Sequence, residues 1–108
     1  RGDAAVASVC PNARVVCFGH MGDGNLHYNV SQPVGADTGE YMALYREMNK
    51  AVHDVVRSLN GSISAEHGIG QLKRDELLAT APAVGIDLMR RIKAAFDPAC
   101  IMNPGKVI

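Results

Sequence analysis

The sequence predicts an α+β fold, a mainly antiparallel sheet with helices packed on one face. Three observations carry that reading. Apolar residues run up to His20 and resume at Leu26, and between them sit Gly22, Asp23, Gly24 and Asn25, the chemistry of a hairpin turn. Tyr41, Leu44, Tyr45, Met48, Val52, Val55, Val56 and Leu59 recur at three- and four-residue steps, one apolar stripe on a long helix. The elements follow in the order β-β-α-β-α-α, and 108 residues with 47% hydrophobic content suffice for one small domain.

Residues Asp3 to Val9 read as the end of a helix that Cys10-Pro11 stops, because proline excludes its predecessor from helical geometry. Arg14 to Phe18 is a continuous apolar run, the pattern of a strand buried on both faces. The hairpin returns through Leu26 to Val30, with Leu26, Tyr28 and Val30 on a packed face and His27 and Asn29 on the other. After a loop with Pro33 and Gly35, Asp37-Thr38-Gly39-Glu40 has capping-box spacing and opens the long helix. Its stripe is expected to lie on the sheet. Asn60-Gly61 closes it, glycine taking the left-handed position. Ser62 to Ala65 reads as a third strand leading into the corner Glu66-His67-Gly68-Ile69-Gly70. A short helix over Lys73 to Ala79 precedes another from Pro82 to about Phe96, with Leu88, Met89, Ile92, Ala95 and Phe96 on its buried face. Asp97-Pro98 ends that helix, and the tail to Ile108 is a turn-rich extension.

Composition narrows the function classes. Eleven Lys and Arg balance eleven Asp and Glu, which leaves no overall field for nucleic acid or an acidic membrane. The clusters Lys73-Arg74 and Arg90-Arg91-Lys93 read as solvated helix faces. Cys10, Cys17 and Cys100 match neither a redox pair nor a four-cysteine zinc site, and point to reduced thiols in the cytoplasm or an organelle matrix. No apolar run approaches a bilayer span, no signal peptide is visible, and the absent initial methionine suits a piece of something longer.

The candidate chemistry lies in the hairpin and the corner. With Asp23-Gly24 as the central pair of the turn, Met21 faces Leu26 and His20 faces His27; a four-residue loop over Gly22 to Asn25 leaves the same pairing. Opposed residues have Cβ atoms roughly 4.5–5.5 Å apart, so both imidazoles can reach one ion. Opposed histidines also occur as ordinary polar faces of sheets. Glu66 adds a carboxylate at another turn, and two imidazoles with one carboxylate and open positions form a catalytic arrangement. His20, His27 and Glu66 are therefore the metal candidates, with zinc the first choice and manganese, cobalt or iron acceptable. His67 is the candidate proton acceptor, provided the chain turns at Gly68 and Gly70 to bring it round. His53 reads as a helix surface residue.

Taken together, Gly19-His20-Met21-Gly22-Asp23-Gly24-Asn25-Leu26-His27, then Ser64-Ala65-Glu66-His67-Gly68-Ile69-Gly70, then Phe96-Asp97-Pro98 with Asn103-Pro104-Gly105-Lys106 closely resemble the C-terminal part of FAD-linked oxidases. The resemblance runs from about Arg14 onward and is nearest to the D-2-hydroxyglutarate dehydrogenase branch, beside D-lactate dehydrogenase and the glycolate oxidase flavin subunit. It implies that residues 1–108 are a cap or substrate domain fragment whose flavin-binding domain lies elsewhere in a longer chain. It also implies His20, His27 and Glu66 as metal ligands, His67 as base, Asn29 as a substrate contact and Lys106 as a residue of the cofactor side. The implied reaction is oxidation of a D-2-hydroxy acid to the 2-oxo acid, with hydride passing to FAD. Without the flavin-binding domain the chain is expected to be inactive by itself. A homodimer is compatible with the sequence. A metal-dependent hydrolase and a non-catalytic assembly domain are the alternative readings.

Overall fold

The computed structural model describes residues 1–108 and divides into two units, Arg1–Ile63 and Ser64–Ile108. Five helices and one two-stranded antiparallel sheet make it an α+β structure.

In the first unit, α1 (Gly2–Val9) ends at Cys10, ahead of Pro11, and leads to β1 (Arg14–His20) and β2 (Asn25–Ser31). Asp37 caps α2 (Thr38–Ala43), its carboxylate accepting the Glu40 N–H at 2.9 Å as the capping box requires. Leu44 interrupts the expected single helix, and α3 (Tyr45–Ser58) continues from it. The left-handed residue after α3 is Asn60, with φ 55°, where glycine was expected. The Gly61 N–H returns to the Val56 carbonyl and the Asn60 N–H to that of Arg57, a Schellman closure. Gly61 is still required. A Cβ there would stand 2.9 Å from Val56 Cγ1.

The stripe on α3 finds its main partner in α1 rather than in the sheet, and the buried centre is Val6 of α1 with Met48 of α3. The helical layer reaches β2 by two tyrosines. Tyr28 Oη donates to Asp3 Oδ1 at 2.6 Å, and Tyr41 Oη to the Val30 carbonyl at 2.8 Å. Burial, followed by the hydrogen bond to Asp3, pushes the Tyr28 phenol above its ordinary value of 10.0. The expected double-faced burial of β1 is not found. Val16 is 55% and Phe18 58% exposed, because the helices lie on the side of Tyr28 and only β2 flanks β1.

The second unit contains α4 (Arg74–Thr80) and α5 (Ala83–Phe96), with Pro82 at the N-cap of the latter. The expected third strand is absent. Ser64 Oγ instead donates to the Gly68 carbonyl at 2.7 Å, closing residues 64–68 into a loop, and Gly68 and Gly70 take φ of +69° and +58°. On α5 only Ile86 is buried, and Leu88, Ile92 and Phe96 are exposed, contrary to the expected buried face. Asp97, 4% exposed, organises the turn after α5. Its carboxylate accepts from Lys93 Nζ and from the backbone N–H groups of Ile101 and Met102 at 3.0 and 2.9 Å. Lys93 Nζ also donates to the Met102 carbonyl. The Lys93 hydrogen bond, aided by the two N–H groups and opposed by burial, holds the Asp97 carboxyl below the usual carboxylate range. Lys73 and Lys93 thus act inside this unit, not on a solvated face, since Lys73 Nζ donates to Ser64 Oγ at 3.3 Å.

Candidate active site

The hairpin loop comprises four residues, Met21 to Gly24. The Gly24 N–H bonds to the His20 carbonyl at 3.0 Å, the Asn25 N–H bonds to Asp23 Oδ1 at 3.1 Å, and Gly24 is left-handed at φ +71°. The side chain of Asp23 thus takes up the first N–H of the returning strand. This pairs His20 with Asn25 and Phe18 with His27, a shift of two residues from the expected opposition of His20 and His27. Side chains alternate with period two, so an even shift leaves both histidines on one face. They are diagonal neighbours. Their ring centroids lie 5.6 Å apart with planes at 64°.

Two further side chains complete that face, and Gly19 sets how closely the strands approach. The Phe18 ring stacks on His27, centroids 4.9 Å apart and planes within 10°. Asn29 comes two residues after His27 on β2, opposite Val16, and is exposed on the same side. Gly19 lets the strands close together, since a Cβ on it would stand 2.1 Å from the Asn25 carbonyl oxygen.

In the second unit Glu66 and His67 are consecutive, exposed residues of the loop that Ser64 and Gly68 close. With no strand there, the expected alternation of their side chains does not apply. The loop is braced by Lys73 through Ser64, and by the tail, where the Val107 N–H donates to the Gly70 carbonyl at 2.8 Å. That bond ties the segment carrying Lys106 to the loop carrying Glu66 and His67. Lys106 Nζ itself donates to the Pro104 carbonyl at 3.0 Å. His53 lies in α3, half-buried.

The family model described as FAD linked oxidases, C-terminal domain, matches residues 3–107. The chain belongs to that family. Among its relatives, a D-2-hydroxyglutarate dehydrogenase of Stutzerimonas stutzeri is 47% identical over 105 residues, 97% of this chain and 23% of the relative. The mitochondrial D-2-hydroxyglutarate dehydrogenase of Bos taurus is 39% identical over 103 residues, covering 94% of this chain and 18% of the relative. A D-lactate dehydrogenase of Archaeoglobus fulgidus is 42% identical over 94 residues, 87% of this chain and 20% of the relative. The chain therefore spans about a fifth of the length of these relatives. No helix is long and apolar enough to cross a membrane.

Within this C-terminal domain, three contributions escaped the sequence reading. Phe18 belongs to an apolar run in the sequence, and its place two residues before His20 puts it on the same face. Lys73 sits in a basic cluster, and nothing in its spacing points to Ser64. Asp97 does more than stop a helix. Its position between a helix end and Pro98 was the available signal, because a carboxylate there is well placed to accept the N–H groups of the next turn.

Proposed function

We propose that this FAD-linked oxidase C-terminal domain supplies the metal and substrate side of an FAD-dependent D-2-hydroxy acid dehydrogenase. The observation that carries the reading is the shared face of His20, His27 and Asn29 on the hairpin. Two neighbouring imidazoles whose planes cross suit a divalent cation of the zinc class, and Glu66 completes the proposed ligand set with oxygen chemistry. Such an ion, when bound, acts as a Lewis acid that makes a coordinated hydroxyl more acidic.

The chain's own residues then have distinct tasks. Asn29, beyond His27 on the same face, offers an amide that can both donate to and accept from a substrate carboxylate or hydroxyl. His67 accepts the hydroxyl proton as the 2-hydroxy carbon is oxidised. The glycines after it and the Ser64 closure support an exposed imidazole at a turn rather than one packed in a core. The flavin-binding domain of a longer chain would hold FAD, which would supply the hydride acceptor, and Lys106 lies on the segment assigned to the cofactor side. The D-2-hydroxyglutarate and D-lactate names of the relatives favour a small D-2-hydroxy acid as substrate.

The test compares wild type and His67→Gln in the longer flavoprotein that carries this segment, with D-2-hydroxyglutarate and a dye acceptor. Loss of a general base should lower kcat by about 10²–10⁴-fold while the flavin absorption spectrum stays unchanged. Undiminished kcat in His67→Gln would remove the assignment. Turnover by the 108-residue chain without flavin would overturn the division of labour.

A further inference from the structure

We propose that Phe18 is a positioning residue for His27, fixing the plane in which that imidazole presents its nitrogen. The inference rests on the reading of His20 and His27 as metal ligands and extends it to a residue that has no ligand atom. Phe18 directly opposes His27 across the hairpin, and the rings lie 4.9 Å apart and within 10° of parallel. At 58% exposure, Phe18 is poorly accounted for by burial alone.

The geometry fits an orienting role. The outer torsion of a histidine side chain is broad, so a ring packed against the imidazole helps to select its plane. A metal bond to imidazole lies in the plane of the ring, whereas an aromatic stack covers only its face. Phe18 can therefore restrict the rotation of His27 without competing for either nitrogen. His20 meets the same ring from another direction, with planes at 64°, so the fixed plane of His27 also sets how the two imidazoles converge. Groups that orient ligands in this way contribute to affinity by lowering the ordering cost of binding.

The experiment uses the 108-residue chain with Phe18→Leu and Phe18→Tyr. Zinc(II) is titrated against a chelating dye, and the His27 ring protons are followed by NMR in the metal-free state. In wild type and Phe18→Tyr these protons should be shifted upfield by the stacked ring, and in Phe18→Leu the shift should vanish. Zinc affinity should fall about three- to tenfold in Phe18→Leu and stay within about twofold of wild type in Phe18→Tyr. Equal zinc affinity in Phe18→Leu and wild type overturns the positioning role and leaves the ligand assignment standing. An unstacked His27 in wild type overturns it as well. A wild-type chain that stacks His27 but takes up no zinc overturns the ligand assignment, and the positioning role with it. Should Phe18→Leu not fold, Phe18→Ile, whose β-branched side chain suits a strand, takes its place with the same expected loss of ring shift and of affinity, and equal affinity there overturns the positioning role.

Discussion

Gly19→Ala is expected to force apart the turn end of the hairpin and with it the two imidazoles. The new Cβ would stand 2.1 Å from the Asn25 carbonyl oxygen and 3.0 Å from Leu26 Cα. Both are backbone atoms of the facing strand, so no side-chain rotation relieves the contact and the strands must separate. Overpacking of this kind costs about 1–3 kcal/mol. Each ladder hydrogen bond lost beside the turn adds about 0.5–1.5 kcal/mol. A total of about 2–4 kcal/mol is a large part of the about 5–15 kcal/mol that holds a domain of this class together. The melting temperature should fall by about 10 °C or more. His20 is the next residue, and its ring should leave the diagonal contact with His27. Gly22→Ala is the matched control: nothing lies within 4 Å of its added Cβ, and its backbone is not left-handed. That variant should stay within about 0.5 kcal/mol of wild type. Thermal melts followed by circular dichroism, with NMR contacts between the two imidazoles, read both effects. Gly19→Ala melting with wild type and retaining the His20–His27 contact would refute the close-approach reasoning.

Two further perturbations address the rest of the chain. The Asp97 carboxyl is held below its ordinary pKa of 3.8, chiefly by the Lys93 hydrogen bond, so its contribution is present above that value and is lost as pH falls through the lowered one. Hydrogen exchange at Ile101 and Met102 should accelerate in that acid range, and Asp97→Asn should exchange fast already at pH 7 with little further change in acid. Tyr28→Phe removes the donor to Asp3 and should cost about 0.5–1.5 kcal/mol by urea titration. Because the folded Tyr28 pKa is raised, wild type should also lose stability as pH climbs above 10.0, a loss that Tyr28→Phe should lack.

Much of the local structure was legible because it comes from local chemistry. Asp37 caps its helix, Asn60-Gly61 closes α3, and Gly22-Asp23-Gly24-Asn25 turns the chain. Turn composition does not carry register. The Asp23 carboxylate accepting the Asn25 N–H, together with left-handed Gly24, produces a loop of Met21 to Gly24 and moves the pairing by two residues. His20 and His27 share a face in either register, because side chains alternate with period two. The contact that the shift creates, Phe18 on His27, did not show until the register was known.

Partners at a distance were less legible. The stripe on α3 says that a face is buried without saying against what, and α1, a short helix of small residues, proved the main partner. The apolar runs of β1 and α5 point to burial, yet Phe18 and Phe96 are exposed because no element of their own unit covers them. Ser62 to Ala65 has strand composition but no neighbouring strand, and the Ser64 hydroxyl is committed to closing its own loop.

X-ray absorption at the zinc edge of the chain loaded with one equivalent of zinc(II) tests the proposed ligand set most directly. The expected result is a shell of nitrogen and oxygen at about 2.0–2.2 Å with imidazole scattering from two histidines, losing one imidazole in His27→Ala and keeping both in Glu66→Gln. A shell containing sulfur at about 2.3 Å, or one that is unchanged in His27→Ala, would contradict it.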